Sequence, residues 1–178
     1  MIVVSDTLPL NYLVLIGAID VLPKLFGEIH VPTQVMVERT RSRATALVKQ
    51  WASSPPRWLR VSTPSITIAT SDRLDLGEAQ AIALATELNA DAILIDERKG
   101  RRIAAAHGFN AVGTLTVLEF AAERKLLDPT AVLKTLRATT FYITDAYIHA
   151  ALERDAARKL AEQNKSDEEG AEKGSRNR

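Results

Sequence analysis

Two short apolar runs end in acids. Ile2-Val3-Val4-Ser5 leads into Asp6, and Ala92-Ile93-Leu94-Ile95 leads into Asp96 and Glu97. Runs this short, rich in Val and Ile and without alternation, predict buried parallel strands, so these carboxylates leave the sheet at strand C-terminal ends. That edge is where open α/β sheets build their sites. Between them a helix predicted over residues 77–88 carries Glu78 in its first turn. In a βαβ unit the helix runs antiparallel to its strands, which returns Glu78 to the same edge. At about 100° per helical residue, Gln80 and Glu87 lie roughly 200° and 180° from Glu78, whereas Ile82 and Ala85 lie within roughly 40° of it. Glu78 therefore faces the core. Inward acids at one edge are costly to bury and repel one another unless a cation joins them. Oxygen-only ligands suit Mg²⁺ or Mn²⁺, which activate water or stabilise charge on a phosphoryl oxygen.

Each acid also has a plainer explanation. Asp6 can cap the first helix, and Asp96 and Glu97 can be turn residues. Basic residues follow directly as Arg98, Lys99, Arg101 and Arg102, either a solvated helix face or a grip on substrate phosphates. Arg39, Arg41 and Arg43 make a second basic cluster. Thr114, after Gly113, returns to the same sheet edge as a helix cap or a hydroxyl near the site. Trp51 and Trp58 can stack bases or cover the core. His30, His107 and His149 stand apart on different elements, which argues against histidine ligation.

The elements that must position these residues alternate. Strands are predicted over 2–5, 28–31, 59–62, 92–95 and 110–112, with helices between them and two more after residue 129, the last ending near 163. Residues 63–75 show no periodicity and are expected to be a loop. Alternating strands and helices predict an α/β fold with a parallel sheet covered on both faces. A chain of 178 residues, 46% hydrophobic, can bury one real core. Residues 1–163 are expected to form one domain and 164–178 a disordered polar tail, because that segment has almost no apolar surface to offset ordering. A net charge of +1 leaves nucleic-acid contact to local patches. The absence of cysteine excludes disulfides, thiolate metal sites and cysteine nucleophiles. No run approaches the roughly 20 apolar residues of a membrane span, and the N-terminus lacks a basic leader region. The expectation is a soluble cytoplasmic protein.

Five ordered segments carry a resemblance. They are Val4-Ser5-Asp6-Thr7-Leu8-Pro9-Leu10, Val31-Pro32-Thr33-Gln34-Val35-Met36-Val37-Glu38, Gly77-Glu78-Ala79-Gln80-Ala81-Ile82-Ala83-Leu84-Ala85, Leu94-Ile95-Asp96-Glu97-Arg98-Lys99-Gly100-Arg101 and Gly113-Thr114-Leu115. Together they resemble the PIN-domain superfamily over roughly residues 1–155, and within it the DUF3368 branch, related to toxin nucleases of the VapC type. The resemblance implies an α/β/α sandwich with a central parallel sheet. It implies a Mg²⁺- or Mn²⁺-dependent endoribonuclease that hydrolyses RNA phosphodiester bonds, often paired with a small antitoxin, and a homodimer is a further candidate assembly. The alternative is a PIN-like module that binds RNA or protein without cutting.

By this resemblance Asp6, Glu78 and Asp96 are catalytic metal ligands, Glu38 joins them, and Glu97 competes with Asp96. Arg98, Lys99, Arg102 and Thr114 are the candidates for holding substrate. Leu8 stands where the family usually has Ser or Thr, Asn11 where an apolar residue is usual, and Glu78 where Asp is common. A phosphorylated receiver domain would need adjacent acids after the first strand, and a haloacid-dehalogenase-like phosphatase Asp-x-Asp. Ser5-Asp6 and Asp6-Thr7-Leu8 satisfy neither.

Overall fold

A computed structural model describes residues 1–40, 44–68 and 74–175, and for residues 40 and 166–175 it describes the backbone alone. Arg41, Arg43 and part of the segment expected to be a loop lie outside the described residues. The chain divides into two compact units, residues 1–127 and 128–178, where the sequence groups 1–163 together.

The first unit is a central five-stranded sheet flanked by helices, an α/β/α fold of the PIN type. Its strands are β1 (Val3–Ser5), β2 (Ile29–Pro32), β3 (Leu59–Ser62), β4 (Ala92–Leu94) and β5 (Asn110–Val112). All pair in parallel, in the order β3-β2-β1-β4-β5. The chain builds outward from β1 to one side and then to the other, so the topological switch lies between β1 and β4. A crevice opens there at the strands' C-terminal ends. The helices are α1 (Thr7–Leu15), α2 (Val21–Phe26), α3 (Thr33–Thr40), α4 (Ala46–Ser53), α5 (Leu76–Leu88), α6 (Arg98–Ala106) and α7 (Thr114–Glu123).

The continuous apolar character of the strands reflects burial on both faces. Val3, Val4, Ile29, Val31, Ile93 and Leu94 are all fully buried. Helix α5 packs on β1, β2 and β4. Its Ala81, Ile82, Leu84 and Ala85 join Val4, Ile93, Ile95, Ile103 and Ala104 in one apolar cluster. The small alanines let the helix axis approach the sheet, which brings its N-terminus down onto the switch point. Strand β2 runs to Pro32, one residue past the predicted 28–31, and α3 starts directly after it. Trp51 and Trp58 pack against each other, ring centroids 6.5 Å apart.

The second unit contains α8 (Pro129–Arg137) and α9 (Asp145–Ser175). Asp128 caps α8, its carboxylate accepting from the Thr130 and Ala131 amides, and Pro129 occupies a first-turn position where no amide is needed. Helix α9 passes residue 163, where the sequence predicts an end. Lys165, Glu168, Glu169, Ala171, Glu172 and Lys173 are good helix formers, so local propensity favours helical backbone even without an apolar face. Among the described residues, no helix is long and apolar enough to cross a membrane.

Candidate metal centre

Asp6 leaves β1 at the switch point. Its amide donates to the Leu94 carbonyl at 2.9 Å, extending the β1–β4 ladder by one residue and pinning Asp6 to the sheet. It occupies the cap position of α1 in extended backbone, yet its side chain closes no cap hydrogen bond. The residue is only 1% exposed, and Oδ1 is buried with no hydrogen-bond partner among the described residues. Burial pushes the carboxyl up from 3.8 to about 7, with the Asp75 and Glu78 charges adding to it and the Thr7 and Leu8 amides opposing. Helix capping therefore leaves Oδ1 of Asp6 unaccounted for.

Glu78 points inward, as the helix periodicity predicts, and is 2% exposed. It forms a capping box with Asp75: the Glu78 amide donates to Asp75 Oδ1 at 2.7 Å, and the Asp75 amide donates to Glu78 Oε2 at 3.2 Å. That exchange engages Oε2 and leaves Oε1 buried and unpartnered among the described residues. Burial is the main reason that the Glu78 carboxyl rises to about 7. Asp75 and Glu97 raise it further, while the Asp75 amide and Lys99 pull it down. Asp75, Glu78 and Glu97 each offer an oxygen within 4.8 Å of the others. Gly100 makes this approach feasible, because a Cβ there would stand 2.5 Å from Glu78 Oε1 and 2.4 Å from Ile95 Cδ1.

Asp96 is placed differently. The Thr114 amide donates to its Oδ1 at 2.7 Å and the Thr114 hydroxyl to its Oδ2 at 2.6 Å. Burial raises its pKa, and these two bonds and Arg101 lower it. Among the described residues, it is not one of the acids whose oxygens converge with those of Glu78. Strand parity gives the reason: Ser5 pairs with Leu94, so Asp6 stands level with Ile95, and alternation returns to that face at residue 97. Glu97 is still extended at the start of α6. Of the two competing acids, it is Glu97 that reaches the cluster. Thr114, expected to face substrate, is fully buried and its hydroxyl is committed to Asp96.

Glu38 lies beside this group with both oxygens engaged. Thr7 Oγ1 donates to Oε2 at 2.8 Å and Gln34 Nε2 to Oε1 at 3.2 Å. It faces Gly77, where a Cβ would come within 3.0 Å of Glu38 Oε2 and of Thr7 Oγ1. The next residue, Arg39, donates from Nη1 to Asn11 Oδ1 at 2.9 Å. Burial pushes its guanidinium below the ordinary range, against the pull of Glu38, Asp6, Asp75 and Tyr12.

On α6, Arg98, Arg101 and Arg102 line a cavity of about 560 Å³ together with Phe109 and Asn110. Lys99 is half-buried. Asp75 is not among the acids that the sequence singles out, since it closes the segment expected to be loop. Asp75-Leu76-Gly77-Glu78 nonetheless has the spacing of a capping box, an available signal.

The chain belongs to the family DUF3368, a PIN domain, whose model matches residues 2–157. Domains of this kind are usually nucleases. Comparison with curated proteins finds no match. Among solved structures the chain is similar to a PilT N-terminus domain protein from the hyperthermophilic archaeon Sulfolobus solfataricus P2, at 16% identity and a TM-score of 0.48. The similarity covers 80% of this chain and 100% of that one.

Proposed function

We propose that the protein is a Mg²⁺- or Mn²⁺-dependent endoribonuclease whose cation is held by Asp6, Glu78 and Glu97, with Asp75 closing the cluster and Glu38 at its margin. The observation that carries this reading is the pair of buried, unpartnered oxygens, Asp6 Oδ1 and Glu78 Oε1. Two buried carboxylate oxygens whose charges act on one another are costly with nothing bound, and each carboxyl clings to a proton up to about 7. An all-oxygen donor set fits a hard divalent cation. A cation so held lowers the pKa of a water and neutralises charge on a phosphoryl oxygen.

The chain's own residues do the rest. Arg98, Arg101 and Arg102, which line the cavity along α6, are the residues to meet substrate phosphates. Lys99 tempers the acid cluster. Asp96, through its two bonds to Thr114, ties the end of β4 to the start of α7 and fixes the backbone that presents Glu97. In this reading Asp96 positions a ligand rather than being one. A small antitoxin and a second copy of the chain are the candidate protein partners.

The test is cleavage of an end-labelled single-stranded RNA, with DNA of the same sequence beside it, in Mn²⁺ and in EDTA. Wild type should cut RNA only with Mn²⁺, and Glu78→Gln should not cut. Cleavage in EDTA, or equal cleavage by Glu78→Gln, contradicts the reading. RNA retention without cleavage favours a binding module.

A further inference from the structure

Carboxylate ligation leaves Arg39 without a role. It lies in the last turn of α3 and is held at one corner, Nη1 to Asn11 Oδ1 at 2.9 Å. Nε is buried, and nothing among the described residues accepts from it. A buried donor left unpaired is expensive, and a guanidinium carries five donors in a fixed fork. Its nearest acid in the chain, Glu38, has both oxygens engaged by Thr7 and Gln34. Asp6 and Asp75 are also within its field. A fixed cation beside acids that it does not neutralise is suited to a ligand bringing its own negative charge, and a guanidinium fork matches phosphate oxygens two at a time.

We propose that Arg39, oriented by Asn11, binds a non-bridging oxygen of the scissile phosphate, so that Arg39 is a catalytic residue and Asn11 its positioning residue. The proposal rests on the nuclease reading above. Helix α3 follows β2, and α6 follows β4; these strands flank β1 on either side. A phosphate at the β1 edge is then gripped from both sides, by Arg39 and by the arginines of α6. A positive charge beside a cation site also weakens its hold on the cation, so Arg39 lowers metal affinity in exchange for a grip on the phosphate.

Two readouts test this: Mn²⁺ affinity of the RNA-free protein by titration calorimetry, and steady-state cleavage. Arg39→Gln should bind Mn²⁺ about three- to tenfold more tightly and lose about a hundredfold in kcat, with KM changed much less. Arg39→Lys keeps the charge but not the fork, so its Mn²⁺ affinity should match wild type while kcat falls. Asn11→Ala should lower kcat by about tenfold and leave Mn²⁺ affinity unchanged. Unchanged Mn²⁺ affinity in Arg39→Gln, or wild-type kcat in Arg39→Lys, overturns the proposal. If Arg39→Gln fails to fold, Arg39→Lys and Asn11→Ala decide by the same criteria. Inactive wild type with Mn²⁺ sinks the nuclease reading, whereas active wild type with unimpaired Arg39 variants sinks only this proposal.

Discussion

Replacing Asp6 by Asn should stabilise the metal-free protein while destroying its response to metal. The Asp6 carboxyl titrates near 7 in the fold against an ordinary 3.8, so the native state holds this proton more tightly than the unfolded chain does. Stability from this group is therefore lost as pH rises from about 4 to about 7, at about 1.4 kcal/mol per pH unit. Above that window the charged carboxylate costs the metal-free fold up to about 4 kcal/mol. Asn keeps the shape and removes the charge, but its own amide must be accommodated in a dry site, which costs about 1–3 kcal/mol. The net expected gain at about pH 8 in EDTA is about 1–3 kcal/mol, or several degrees in melting temperature. The gain should shrink as pH falls toward about 4, because wild type is then neutral at this position too. Excess Mn²⁺ should raise the melting temperature of wild type by mass action and leave Asp6→Asn unmoved. Thermal melts across pH, with and without metal, provide the assay. Destabilisation of Asp6→Asn at high pH in EDTA, or a gain independent of pH, would refute the reasoning.

Glu97→Gln should weaken Mn²⁺ binding about tenfold or more, whereas Asp96→Asn should chiefly lower melting temperature, because its hydrogen bonds serve Thr114; calorimetry and melts separate the two. Gly100→Ala places a Cβ against Ile95 Cδ1 and Glu78 Oε1, and should cost about 1–3 kcal/mol as overpacking and blunt the Mn²⁺ response. Truncation after Gln163 should leave both melting temperature and Mn²⁺ response unchanged, since the removed residues offer almost no apolar surface; a drop of several degrees would show that they dock.

The strands and the inward face of Glu78 were legible because local patterns determine them. An apolar run such as Ala92 to Ile95, short and rich in Ile, fits a strand buried on both sides of a covered sheet better than a helix. The heptad-like spacing of Glu78, Ile82 and Ala85 leaves a helix one way to face the core. The choice between Asp96 and Glu97 was not legible, because it depends on the register of β4 against β1. A shift of one residue exchanges the faces. Thr114 was placed at the right edge, but its bonding to Asp96 depends on how α7 meets β4 in space. Asp75 is hidden for a different reason: the preceding residues carry no periodicity, so the helix is predicted one residue late and its cap falls in the expected loop. The Asn11–Arg39 bond, between residues 28 apart in sequence, is a tertiary contact with no local signature.

Asp6 Oδ1 and Glu78 Oε1, buried and without a partner among the described residues, should hold a cation. Anomalous diffraction from crystals soaked in Mn²⁺ tests it most directly. A Mn²⁺ peak is expected in contact with Asp6 and Glu78, completed on the Glu97 side. A peak at Asp96 and Thr114 instead, or none at the β1–β4 switch point, would contradict it.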